Sequence, residues 1–129
     1  MNPFPTSRYK IDELCSVELD NKFLQITLHN GLFNVETVER ILNKIDAFLD
    51  GKELLTIINC EDAAKTTFKA LKRMSEPSAM QYATAKAYVI TTTHQKAMAD
   101  LFLTFFKPSR PVKFFRDLKE AKEWLGQLQ

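Results

Sequence analysis

The sequence predicts an α/β domain with a mixed, mostly parallel sheet of four or five strands flanked by helices, in the order β-β-α-β-α-β-α-β-α. Three observations carry this. Leu54-Leu55-Thr56-Ile57-Ile58 is a short, nearly continuous apolar run, as expected of a strand covered on both faces. Tyr88-Val89-Ile90-Thr91-Thr92 is a β-branched strand signal. Segments of helical period lie between and after these runs, which is the alternation a parallel sheet needs.

The elements follow in order. Residues 1–10 read as a lead-in and 11–129 as one domain. Ile11 to Leu19 alternates in part and Phe23 to Leu28 more clearly, and Asp20-Asn21 between them predicts a tight hairpin. After His29-Asn30-Gly31, Asn34 is placed to cap a helix with Glu36 in its first turn. Val35, Val38, Ile41, Leu42, Ile45 and Leu49 form its buried stripe, Glu36 and Arg40 pair on the wet side, and Gly51 ends it. A second helix is expected from about Ala63 to Met74, with Phe68, Leu71 and Met74 inward and Pro77 beyond it. A third runs from about His94 to Phe106. Pro108 and Pro111 bracket a loop before the last strand, Val112 to Phe115. Asp117 and Glu120 open the last helix, whose apolar side holds Leu118, Ala121, Trp124, Leu125 and Leu128.

Composition narrows the function classes. The chain has 129 residues, 45% of them hydrophobic, with ten Phe, enough apolar material for one core without disulfide or metal. A net charge of +2 provides no concentrated basic face for nucleic acid. No stretch approaches the ~20 apolar residues that span a bilayer. Met1-Asn2-Pro3-Phe4-Pro5 lacks the basic start of a secretory signal, and Cys15 and Cys60 fit no zinc or CxxC spacing. They read as reduced, buried thiols in a cytoplasmic protein. His29 reads as a turn residue, and two isolated histidines give no metal pattern. No cofactor is expected.

The element order from about Ile11 to Leu128 resembles the STAS domain of sulfate transporters and anti-sigma factor antagonists. The ending resembles the SpoIIAA-like branch, which is grouped in part with lipid-binding SEC14-type domains; the residues concerned are Phe114, Phe115, Asp117, Ala121, Trp124 and Leu125. The resemblance implies a non-enzymatic bacterial regulatory domain that binds a protein partner or a small ligand. STAS antagonists carry an Asp-Ser-Ser/Thr-Gly-type turn with a phosphorylated hydroxyl after the third strand. Here the segment reads Asn59-Cys60-Glu61-Asp62-Ala63-Ala64-Lys65-Thr66-Thr67, with hydroxyls but no serine-glycine turn. Glu61, Asp62, Lys65, Thr66, Thr67 and Lys69 form the candidate switch and partner-binding segment, Thr66 being the better phosphate acceptor.

Other features leave alternatives open. Cys60, Asp62 and His94 lie at strand ends, where ligands favour open sheets, and would make a nucleophilic site only if they converged. Neighbouring acids oppose the thiolate, so a buried Cys and a helix-start His are the plainer reading. Lys65, Lys69, Lys72 and Arg73 share one helical stripe suited to an acidic partner or an anionic lipid, or simply to water. Lys107, Arg110 and Lys113 are judged in the same way. In Leu101 to Phe106, Met98, Leu101, Phe102 and Phe105 share a face, while Leu103 points away and Phe106 sits at its edge. That surplus fits a homodimer interface, the gate of a small apolar pocket, or cover by another helix. Thr92, His94, Met98, Phe102, Leu103 and Phe106 are therefore the candidate ligand or interface residues. The readings carried forward are a partner-binding domain, an apolar-ligand or lipid carrier of SEC14 type, and a Cys60–His94 enzyme.

Overall fold

A computed structural model describes residues 8–20 and 22–128. The expected lead-in up to Ser7 and the turn residue Asn21 lie outside the described residues. The described chain begins with a meander: β1 (Arg8–Asp12), β2 (Cys15–Leu19) and β3 (Phe23–Leu28), each antiparallel to the next. Among the described residues the sheet reaches back to Arg8, inside the stretch read as lead-in. Asp12 Oδ2 accepts from the Leu14 N–H at 3.0 Å and turns β1 into β2. Asp20 Oδ1 accepts from the N–H groups of Lys22 and Phe23 at 2.9 and 2.7 Å, closing the predicted hairpin.

β5 (Leu54–Cys60), β7 (Ala83–Val89) and β8 (Val112–Phe115) extend the sheet in parallel, giving the order β1-β2-β3-β5-β7-β8. The predicted pairing of the two central strands is present, with Leu55 opposite Ala85 and Ile58 opposite Tyr88. Six strands replace the expected four or five because the first stretch folds as two. A separate two-stranded parallel ribbon joins β4 (Gly31–Phe33) to β6 (Ala64–Thr66). Gly31 has φ +150°, which strains any residue with a side chain, and a Cβ there would also have to displace Leu14 Cδ2, 2.6 Å away.

Among the described residues four α-helices complete the fold: α1 (Val35–Leu49), α2 (Phe68–Ser75), α3 (Thr93–Phe105) and α4 (Leu118–Gln127). Asn34 caps α1 by accepting from the Thr37 N–H, and the stop is a left-handed Asp50 followed by Gly51 at φ +84°. Arg40 does not pair with Glu36 as its spacing suggests. It and Lys44 reach the buried Asp12 at 2.7 and 2.8 Å, tying α1 to β1. The second helix starts at Phe68 rather than near Ala63, because residues 64–66 are held as a strand by β4. Tertiary pairing outweighs the helix propensity of Ala and Lys there, which is only tenths of a kcal/mol per residue.

The sheet has two unlike faces. On one, Val17, Leu24, Ile26, Ile58, Tyr88 and Ile90 meet α1 and its neighbours in the larger core. On the other, among the described residues α4 alone covers Ile57, Ala85 and Ala87, with its own Ala121 and Leu125 fully buried. Small alanines on β7 let α4 approach closely, and Trp124 packs on Phe115 with centroids 5.8 Å apart. Of the C-terminal motif residues, Phe115, Ala121, Trp124 and Leu125 therefore build this second core, Asp117 is the exposed N-cap of α4, and Phe114 faces the larger core and stacks on Tyr88 at 5.0 Å. The α4 face of β2 and β3 carries Glu18, Gln25 and Thr27, all only partly buried, so one-sided burial explains their alternation.

Candidate functional site

The carboxyl ends of β3, β5 and β7 meet in a polar rim. Its bolt is Gln95, a buried residue in the first turn of α3. Gln95 Nε2 donates to the Glu61 and Ala64 carbonyls at 2.7 and 3.3 Å, and its Oε1 accepts from the Thr91 N–H at 2.9 Å. Thr92 caps α3 in a reciprocal capping box with the same Gln95. Glu61 accepts from the Asn30 N–H at 3.1 Å and lies 3.2 Å from His29 Nδ1, whose Nε2 is 2.7 Å from Ser16 Oγ. The His29 contact, then the Asn30 bond, holds the Glu61 carboxyl below its ordinary pKa. Thr91 Oγ1 donates to Asp62 at 2.6 Å. His29 is thus a bridge between β2 and the β5 end, and the acids read as switch residues are committed to holding the rim.

Beneath the rim, between the sheet and α1–α3, lies a cavity of about 110 Å³. Ile26, Ile41, Ile58, Leu71, Met98 and Ala99 contribute to its apolar wall. Lys65 and His94, both exposed residues that also touch it, mark where it reaches solvent. Its exceptional member is Lys86, in the middle of β7 and only 2% exposed. The Lys86 ammonium donates to the Ala79 carbonyl at a long 3.4 Å and sits 4.7 Å from the Tyr82 ring centroid. Among the described residues no carboxylate reaches it. Burial alone pulls its pKa from 10.5 down to about 7.

The strand signal in the sequence rests on Tyr88 to Thr92, and Lys86, given no role there, was missed. The available signal was period two: Lys86 shares a face with Tyr88 and Ile90, so in a strand covered on both sides it had to point inward. Gln95 was also missed. Three residues after a capping Thr, it is the glutamine of a capping-box pattern.

The predicted switch segment does not form one helix start. Lys65 and Thr66 lie on β6, with Lys69 exposed on α2. Thr66 Oγ1 donates to the Phe33 carbonyl at 3.0 Å across the ribbon, and Thr67 is the α2 N-cap, accepting from Ala70 N–H at 3.1 Å. Both hydroxyls are in structural use. The basic stripe is likewise divided: Lys65 is off the helix, and Arg73 is paired with Glu39 of α1 and bonded to Ser78. Arg110 is occupied too, bonding Glu53 at 2.6 Å and the Ala83 carbonyl at 2.8 Å.

Of the predicted ligand or interface residues, His94 and Met98 line the cavity. Phe102 is buried and Leu103 is 57% exposed, pointing outward as its helical position requires. Phe106 packs between Phe68 at 5.3 Å and Phe102 at 6.0 Å. Phe68 itself, expected inside, is 48% exposed and meets the 62% exposed Phe105 edge to face at 5.8 Å. The ring contacts continue inward from Phe102 to Phe114 at 5.9 Å and on to Tyr88, both of which touch the cavity.

A family model described as "Domain of unknown function (DUF7793)" matches residues 17–129. The chain belongs to the DUF7793 family. Among curated proteins, none matches it. One solved structure similar to this DUF7793 chain is an uncharacterized protein from the DUF3478 family with a SpoIIAA-like fold, from Shewanella loihica PV-4. It is 17% identical, the match covers 86% of this chain and 91% of that one, and the TM-score is 0.53. That likeness establishes the SpoIIAA-like fold expected from the element order and the C-terminal motif.

Catalytic chemistry at Cys60 and His94 finds no geometric support in this DUF7793 chain. No hydrogen bond joins the two among the described residues, and burial pushes the Cys60 thiol up to about 12. The buried Cys15 thiol is raised as well, chiefly by burial. A thiolate is scarce at either site near neutral pH. No helix among the described residues is long and apolar enough to cross a membrane.

Proposed function

We propose that this DUF7793 domain is a non-enzymatic binding domain that takes up a small, mainly apolar molecule between the sheet and α1–α3. The cavity supports the reading. Its volume is of the order of the ~150 Å³ apolar void known to admit a benzene ring, and its wall is aliphatic and aromatic apart from a few polar groups, as in ligand pockets generally. This is the small end of the carrier reading, since a full-length lipid chain needs far more room. The test is methyl-detected NMR with benzene and short branched alcohols. Shifts at Ile41, Ile58 and Met98 in the wild type, lost in the cavity-filling variant Ala99→Leu, are expected. An unperturbed spectrum at saturating ligand would remove the proposal.

A second reading, docking of a protein partner, is favoured by one observation: Phe68 and Phe105 stand exposed together at the α2–α3 seam. The two readings are compatible, because the ring contacts run from that seam to the cavity. A regulatory module could report cavity occupancy at its surface by this route. Leu103 offers a homodimer contact on the outer side of the same helix, and the two unpaired cysteines, Cys15 and Cys60, suit a cytoplasmic setting.

A further inference from the structure

Among the described residues the cavity holds a cation without a counter-charge, and this defines the ligand more narrowly. Lys86 is buried on the central strand β7, points into the larger core and touches the same space as Ile26, Ile58 and Met98. Its amine has one long hydrogen bond and an aromatic face, leaving two of its three donor positions without a partner among the described residues. A buried ammonium in such surroundings is held at a cost unless an anion joins it. The groups that share the cavity do not supply one. Tyr82, Tyr88 and Cys60 are all pushed upward by burial and stay neutral, while Lys65 and His94 can only add positive charge.

We propose that the ligand is a short, branched or linear monocarboxylate, its carboxylate paired with the Lys86 ammonium and its tail against the aliphatic wall. This rests on the apolar-cavity reading and adds the head group. The volume suits a tail of roughly four to six carbons, on the scale of the ring-sized void cited above. Lys65 at the rim offers an attractive approach for an anion. Pairing is coupled to a proton, because the carboxylate binds the charged amine and the lowered Lys86 pKa makes that form half-populated near neutrality.

The experiment is calorimetric titration of the whole chain with isovalerate and with its uncharged isostere isovaleramide. Isovalerate should bind at least tenfold tighter than isovaleramide at about pH 6, since a charge-assisted bond is worth about 1.5–3 kcal/mol. Its Kd should rise as pH climbs through 7, approaching tenfold per unit, while that of isovaleramide stays flat. Lys86→Met should bind both ligands alike. In parallel, NMR of the lysine Cε–Hε groups should show the Lys86 titration moving upward when isovalerate is present, a readout that needs no variant. Equal affinities of the wild type for the two ligands, or an unmoved Lys86 titration under saturating isovalerate, would overturn the carboxylate and leave the apolar cavity standing. Binding of neither ligand, together with silent benzene titrations, would remove both.

Discussion

Replacing Lys86 by Met should make the protein more stable, and by an amount that depends on pH in a defined way. Burial lowers the Lys86 pKa from 10.5 to about 7, and each pKa unit is worth about 1.4 kcal/mol, so the charged lysine costs the fold about 5 kcal/mol. The sign follows from proton counting. Below pH 7 both folded and unfolded chains hold the proton and the full cost is present. From there to pH 10.5 the unfolded chain keeps a proton that the folded chain has released, so stability rises by about 1.4 kcal/mol per unit. Met is unbranched and nearly matches the lysine stem, so the variant removes the charge with little change in packing. The lost bond to Ala79 and the Tyr82 contact offset about 1–2 kcal/mol of the gain. Lys86→Met should therefore exceed the wild type by about 3 kcal/mol at about pH 6, and the gap should close as pH rises to about 9. Urea unfolding followed by Trp124 fluorescence measures both. Tyr82, Tyr88, Cys15 and Cys60 also titrate late in the fold and weaken it at alkaline pH, but they do so in both proteins and cancel in the difference. A variant less stable than the wild type, or a gap that does not change with pH, would show that the amine is solvated or paired and would refute the argument.

Three further outcomes follow from the polar anchors and the outer face of α3. Asp12→Asn should destabilise by about 2 kcal/mol near neutral pH, because Arg40 and Lys44 lose the carboxylate they share. Since the Arg40 bond, above all, depresses the Asp12 pKa, that contribution is whole above the ordinary carboxylate range and fades as pH falls through the lowered value; an acid titration of wild type against variant checks it. Gln95→Leu should cost about 2–3 kcal/mol in chemical denaturation, because it strands the Thr91 N–H and the Glu61 and Ala64 carbonyls at the rim. Leu103→Lys should leave the Tm within a degree or two, and if the exposed Leu103 seals a homodimer it should convert dimer to monomer in light scattering; a monomeric wild type would end that proposal.

The elements legible in the sequence are those whose pattern has a local cause. α1 declares itself because one stripe is buried and the rest is wet, with Asn34 and Gly51 at its ends. β2 and β3 alternate because one face is largely free of helices, and β5 reads as continuous because both faces are covered. β1 was not legible, since Arg8-Tyr9-Lys10 is an exposed edge whose pairing leaves no apolar rhythm. β4 and β6 are three residues each and pair across 33 positions of sequence, so nothing local reports them. That single long-range contact moved the start of α2 to Phe68 and placed Thr66 in a ribbon instead of a helix, which is why the switch segment was misplaced. The candidate site was legible only in part: Cys60 and His94 stood out as strand-end residues, Lys65 and Thr66 in the switch segment and Met98 through helical spacing, while Lys86 was hidden by its own polarity.

The polarity of Lys86 is also the reason to assign it a role. A domain of this size keeps about 5–15 kcal/mol of net stability, so one lysine costing about 5 kcal/mol below pH 7 removes a large share of it. The apolar alternative is available at that position, because the neighbouring Ala85, Ala87 and Tyr88 already fill both faces of β7 without charge. A ligand that brings the missing negative charge binds the folded state alone and returns part of that cost, so occupancy and stability become one equilibrium. The rings from Tyr88 and Phe114 through Phe102 to Phe106 and Phe68 lie along the same path. A change in how tightly the core closes around Lys86 would therefore be felt where Phe68 and Phe105 face solvent. Isovalerate binding at Lys86 should thus change the solvent exposure of Phe68 and Phe105, and unchanged ring signals at saturation would leave the seam independent of the cavity.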